Sequence, residues 1–175
     1  MGGLKQLIAT TIAPSSLWSP RVRVRLLRFC GVTVGTGTRI RPGIRFIERV
    51  DLLSIGDGCF INVELLVGSN SPVVLGDRVS LGPRVQLVPT THEIGPASAR
   101  AGASVSAPIT IGDGTWIGAG TIVLGGVTIG SGCIVAAGSV VTADCEPDSL
   151  YGGTPARRIR ALDVAPEASS TQGVR

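Results

Sequence analysis

From Ile111 onward an aliphatic residue returns at every sixth position: Ile111, Ile117, Val123, Ile129, Val135 and Val141. Aliphatic spacing alone is a weak signal, but two further columns share the frame. The fourth residue of each hexad is glycine five times in succession, at Gly114, Gly120, Gly126, Gly132 and Gly138. The fifth is always small or β-branched: Thr115, Thr121, Val127, Cys133 and Ser139. A short internal repeat of this kind specifies a solenoid, because each unit can bury its apolar side only against its neighbours. Six residues make one short strand and one tight turn. Three such units close a triangular coil, and coils stack at the inter-strand spacing of about 4.8 Å so that every strand pairs above and below.

The frame recurs upstream. Val34, Ile40 and Phe46 open three hexads, Ile55, Ile61 and Val67 three more, and Leu75, Leu81 and Leu87 another three. Short insertions are expected at Leu52–Ser54 and Val73–Val74. The 14 hexads predict between four and five coils. The first residue of each should point inward. The fifth should fill a corner too tight for a large side chain, and the glycine at the fourth should supply a backbone conformation that a Cβ hinders. The composition agrees: 3% aromatic residues cannot fill a conventional sandwich, and 25 glycines ask for many tight turns.

Three segments follow: an N-terminal helical cap over 1–31, the β-helix over 32–143 with an irregular protruding loop at 93–110, and a C-terminal extension over 144–175. In the cap, Leu4, Leu7 and Ile8 mark one helical face and Pro14 and Pro20 break it. Arg21 to Cys30 reads as a second helix, with Leu26, Leu27, Phe29 and Cys30 available for packing. Its role is to close the first coil, which otherwise exposes strand edges. Its arginines, Arg21, Arg23, Arg25 and Arg28, with Trp18 nearby, also suit contact with an anionic membrane, and both readings stay open. The extension is expected to leave the helix through Pro147, Gly152, Gly153 and Pro155, and the polar tail from Ala165 to Arg175 to be disordered.

The net charge of +4 suits an anionic ligand and does not call for nucleic acid as a partner. Cys30, Cys59, Cys133 and Cys145 show no metal-ligand spacing, so no metal centre is expected, and Cys59 and Cys133 at the fifth position read as core filler. With no secretory signal and no apolar run long enough to span a bilayer, a cytoplasmic protein with reduced thiols is expected.

One residue stands out chemically. His92 is the single histidine and sits at the end of a hexad, directly before the protruding loop. An imidazole can take a proton from a hydroxyl near neutral pH, which makes it a candidate general base; a surface histidine at a loop boundary is the plain alternative. A single histidine rules out a zinc hydrolyase that needs several imidazole ligands, and no nucleophile elbow marks a serine hydrolase.

The stretch from Pro108 to Leu162, with its WIG after the loop and its GGTPAR near the end, resembles the hexapeptide-repeat acetyltransferases of the maltose, galactoside and nodulation-factor group, and most of all the polysaccharide O-acetyltransferases. The similarity covers about residues 32–162. It implies a left-handed parallel β-helix, a homotrimer with active sites between neighbouring subunits, and acetyl-CoA as co-substrate with no tightly bound cofactor. It implies acetyl transfer to a hydroxyl of a sugar or polysaccharide-precursor acceptor. His92 matches the family's base, and the backbone amide of Ala119 its oxyanion donor. FINVELLVGSN is similar to the family's acceptor region: Asn62 falls on the acceptor-binding asparagine, Phe60 where galactoside enzymes carry tyrosine, and Asn70 where they carry aspartate. Trp116 matches a tryptophan beside the cleft. Thr142 and Ala143 match CoA positions, the second often a lysine in the family, and Arg157 and Arg160 match residues that meet the nucleotide phosphates. Transfer to serine or to an amino-sugar amine, and a non-catalytic scaffold, are the competing functions.

Overall fold

The computed structural model describes residues 3–68 and 70–163. It is a parallel β-helix of about six turns. One face stacks Thr33–Val34, Leu53–Ile55, Val73–Leu75, Ile109–Ile111 and Thr128–Ile129. The second stacks Arg39–Ile40, Phe60–Ile61, Ser80–Leu81, Trp116–Ile117, Ile134–Val135 and Ser149–Gly153. The third stacks Arg45–Phe46, Leu66–Val67, Gln86–Val88, Ile122–Leu124 and Val140–Val141. Within the coils the pairing is parallel and in step with the repeat, as in Ile61↔Leu81 and Ile117↔Val135. The first residues of the hexads are the core: Ile111, Ile117, Val123 and Ile129 are wholly buried.

At Gly114, Gly120 and Gly138 the fourth position is set by backbone conformation, not by space. Gly120 has φ +67°, and a Cβ added to it would meet nothing within 4 Å. Arg78 holds the equivalent place at φ +54°. The second position is the reverse: a Cβ on Gly118 would lie 2.4 Å from the amide nitrogen of Ala137 in the next coil. Glycine there lets adjacent backbones approach.

Several expectations need correction. The fifth residue is buried at any size, since Ile44 and Leu65 occupy it as fully as Ser139 does. Where it is polar, it bonds along the stack: Thr115 Oγ1 donates to the Gly130 carbonyl at 2.8 Å and accepts from the Cys133 amide. Leu53 and Val73 belong to strands and take this same inward place, so the insertions fall before them, in the preceding corners. The stack is also taller than the hexad count implies. Cys145 bridges to Ile129, and Ser149–Gly153 adds a strand that sets Tyr151 beside Val135. The buried Tyr151 hydroxyl accepts the Glu146 amide at 2.9 Å. Ala156–Ala161 then folds back antiparallel along that edge. The tail from Ala165 to Arg175 lies outside the described residues.

The loop at 93–110 is largely regular. Thr90–Ile94 and Ala101–Ser106 pair antiparallel as a hairpin that projects from the third face, with an irregularity between His92 and Ile94. Short runs of threonine, serine and alanine pair well across two strands, but they show no apolar alternation because neither side is buried.

The N-terminal segment forms α1 (Gly3–Leu7), a π-turn at Ile8–Ile12 and α2 (Pro20–Cys30), which is capped by Ser19. Val24, Leu27 and Cys30 face the first coil, while Leu4, Leu7 and Phe29 stay exposed. Arg23, counted above with the basic surface, is 0% exposed. No helix among the described residues is long and apolar enough to cross a membrane.

Candidate active site

A groove of about 440 Å³ runs along the second face. It gathers four of the residues singled out in the sequence: Phe60, Asn62, Trp116 and Ala119. The repeat explains why residues so far apart in the chain meet. Phe60, Ser80, Trp116 and Ile134 are register partners in one outward column. Gly82, Gly118 and Ala136 follow them as small second-position residues, and Pro83, Ala119 and Ala137 close the corner. The groove exists because that row of second positions is nearly bare of side chains.

Trp116 is 55% exposed and stands as the tall wall of this groove, which the sixth position, pointing outward, requires. The Asn62 carboxamide oxygen accepts the Val63 amide at 2.9 Å, so its nitrogen remains as a donor towards a ligand. Around Ala119, the neighbouring amides of Gly118 and Gly120 donate to Val135 and Pro83 in the intercoil ladder. Ser80, Pro83, Ile134, Ala136 and Ala137 also line the groove and were missed in the sequence. Taking every third hexad together would have found them, since that sum selects one face.

His92 lies elsewhere. It sits on the first strand of the hairpin, exposed, opposite Ser104. Its Nδ1 is 3.0 Å from the Gly102 carbonyl oxygen. A carbonyl can only accept, so Nδ1 is the donor in this contact, which leaves Nε2 as the other ring nitrogen, unbonded to the carbonyl. The ring does not line the groove of its own chain. Asn70 lines a separate hollow of about 220 Å³ at the foot of the hairpin, with Glu48 and Thr90. Thr142 and Ala143 are exposed just after the last strand of the third face.

Arg157 and Arg160 lie on the returning strand at the C-terminal end of the second face, where Arg160 pairs with Leu150 and Leu150 with Ile134. From Phe60 to Arg160 is five strand steps, about 24 Å. Arg158 is tied to Ser149 and Glu146. Among the described residues, Arg157 and Arg160 bond only to neighbouring backbone carbonyls, which leaves their charge available to an anion.

An apolar groove on a solenoid face, with arginines on the strand beyond its C-terminal end, suits a long ligand with an anionic end. Known proteins narrow this. The family of bacterial transferase hexapeptides (six repeats) matches residues 108–143. A hexapeptide-repeat-containing acetyltransferase from Vibrio cholerae O1 biovar eltor, solved with acetyl coenzyme A, is similar at 34% identity over 92% of this chain and 85% of that one, with a TM-score of 0.80. A maltose O-acetyltransferase from Clostridium difficile 630 is similar at 29% identity, 91% and 85% coverage and a TM-score of 0.83. A galactoside acetyltransferase in complex with coenzyme A is similar at 30% identity, 91% and 78% coverage and a TM-score of 0.80. Among curated proteins none matches in sequence. The chain belongs to the hexapeptide-repeat acetyltransferases.

Proposed function

We propose that this protein transfers an acetyl group from acetyl-CoA to a hydroxyl of a carbohydrate-like acceptor, at sites shared between copies of the chain in a homotrimer. One observation carries the reading: an exposed His92 on a projecting hairpin, and a ligand groove on another face that lacks any base of its own. A hairpin from one copy reaching the groove of the next completes the site. The solved relatives bound to acetyl coenzyme A or coenzyme A support the donor.

In this reading the thioester lies along the second face, with the nucleotide phosphates toward Arg157 and Arg160 and Thr142 and Ala143 near the pantetheine–adenine junction. Asn62, Phe60 and Trp116 hold the acceptor, with Asn70 at its margin. Nε2 of His92 removes the hydroxyl proton as the oxygen attacks the thioester carbonyl. The Ala119 amide donates to the resulting oxyanion. The C–S bond then breaks, the imidazolium returns its proton to the leaving thiolate, and an ester and free CoA result.

The competing reading of the exposed N-terminal surface, a peripheral position at the inner face of the membrane, is separated by the vesicle measurement described below.

Subunit complementation tests the shared site. His92→Ala and Asn62→Ala should each lose activity, the first by about 10²–10⁴-fold in kcat. Unfolded together at equal ratio and reassembled, they should recover about a quarter of wild-type activity, because one interface in four joins an intact histidine to an intact groove. Full activity in His92→Ala removes the base assignment. Two inactive variants whose mixture stays inactive place base and groove in one chain. A screen of sugars, serine and amino sugars with acetyl-CoA, read by mass spectrometry, decides the acceptor class. Absence of coenzyme A binding in calorimetry returns the protein to a scaffold role.

A further inference from the structure

A second concentration of positive charge lies outside the groove. Arg21, Arg25 and Arg28 of α2 converge with Arg39 of the first coil on a hollow of about 460 Å³, closed by the turn Gly35–Thr38. No carboxylate is among its lining side chains; the nearest, Asp57, accepts the Thr36 amide behind that turn. Among the described residues, none of the four arginines forms an ion pair. Guanidinium groups gathered in excess of nearby carboxylates repel one another, and a bound anion removes that cost.

The four are not equivalent. Arg28 is fixed by donating to the carbonyls of Val34 and Gly35 at 2.7–3.0 Å. Arg21 and Arg25 are exposed and four residues apart, so they project from one side of α2. The Arg39 guanidinium lies 5.7 Å from the centre of the Phe60 ring, and Phe60 lines the groove. The hollow and the Asn62 end of the groove therefore share a wall.

We propose that this hollow binds a phosphate or diphosphate group, and that the acceptor is a phosphorylated carbohydrate. Its anionic end lies over Arg21, Arg25 and Arg39, and its sugar reaches past Phe60 to Asn62. The second half rests on the transferase reading above; the first half does not. Paired donors on planar guanidiniums match phosphate oxygens, and four arginines against one carboxylate held by the turn amide leave the site with an excess of positive charge.

The test begins with calorimetric titration of the full chain with inorganic pyrophosphate in the absence of acetyl-CoA. Saturable binding is expected, weakened at least about tenfold in Arg21→Ala/Arg25→Ala. The melting temperature should not change, because neither side chain forms a hydrogen bond or ion pair among the described residues. No binding to the wild type, or equal binding to the double variant, overturns the site. A nucleoside-diphosphate sugar that binds at least as tightly as pyrophosphate supports a soluble phosphorylated acceptor. Sedimentation with phosphatidylglycerol vesicles that depends on Arg21 and Arg25, without pyrophosphate binding, overturns it in favour of a membrane contact. In turnover assays the double variant should raise KM for a phosphorylated sugar and leave KM for acetyl-CoA unchanged. If pyrophosphate binds but the wild type acetylates no carbohydrate, the anion site stands and the transferase reading falls.

Discussion

Replacing Arg23 by methionine should destabilise the N-terminal end of the solenoid by about 3–5 kcal/mol, although the change removes a charge from a chain that carries an excess of positive charge. The side chain is 0% exposed. Its Nε donates to the Ala13 carbonyl at 3.0 Å and its Nη1 to Ile40 at 2.9 Å; Nη2 donates to Ser15 at 2.6 Å and Trp18 at 3.0 Å. It thus ties the segment before α2, α2 itself and the first coil through one group. Burial, with Arg41 nearby, holds its pKa below the ordinary guanidinium value. That desolvation offsets much of what four charge-assisted bonds supply, so the sum of the bonds overstates the effect. The loss comes instead from the acceptors left behind. The Ala13 and Ile40 carbonyls would lie buried without donors, at about 1–3 kcal/mol each, with smaller losses at Ser15 and Trp18. Methionine roughly preserves volume, so no large cavity contributes. Urea unfolding gives the total, and amide exchange gives the location. Faster exchange is expected at Gly43, whose amide donates to Pro14, and little change at Gly138, whose amide donates to Ala119 far down the stack. A loss below about 1 kcal/mol, or faster exchange spread evenly over all coils, would refute the reasoning.

Two glycines of one hexad should respond differently. Gly120→Ala meets only backbone strain at φ +67° and should cost about 1–2 kcal/mol, whereas Gly118→Ala drives a Cβ to 2.4 Å from the Ala137 amide and should cost about 3 kcal/mol or more; similar losses in denaturant unfolding would sink the distinction. The four thiols are buried, and burial pushes Cys145 from 9.0 up to about 12. Native protein should therefore resist a thiol reagent at pH 8 and react fully once unfolded. Since the folded pKa is raised, the stabilisation is complete below the unfolded value of 9.0 and declines as pH rises from there toward 12; a rapidly reacting native thiol at pH 8 contradicts this.

The fold was legible because a solenoid writes its architecture into one short period. Inward and outward positions repeat, so Ile117 and Trp116 can be assigned opposite sides without knowing any contact in advance. The period fails where a different residue meets the same requirement. Tyr151 fills an inward place that an aliphatic column does not reveal, and so the last turn was missed. Leu53 and Val73 looked like insertions because they precede the first-position aliphatic, yet a strand buries both residues that flank an outward one. The groove was half legible. Resemblance pointed to Phe60, Asn62, Trp116 and Ala119, while Ser80 and Ala136 follow only from the three-fold sorting of hexads into faces. Charge was the least legible quantity. Arg21, Arg23, Arg25 and Arg28 look alike in sequence, but a helix turns about 100° per residue. That rotation sends Arg23 into the core, locks Arg28 onto carbonyls of the first coil, and leaves Arg21 and Arg25 facing a hollow whose lining side chains include no carboxylate. The composition therefore overstates the surface charge of α2 as a whole and understates how strongly it is concentrated beside the groove.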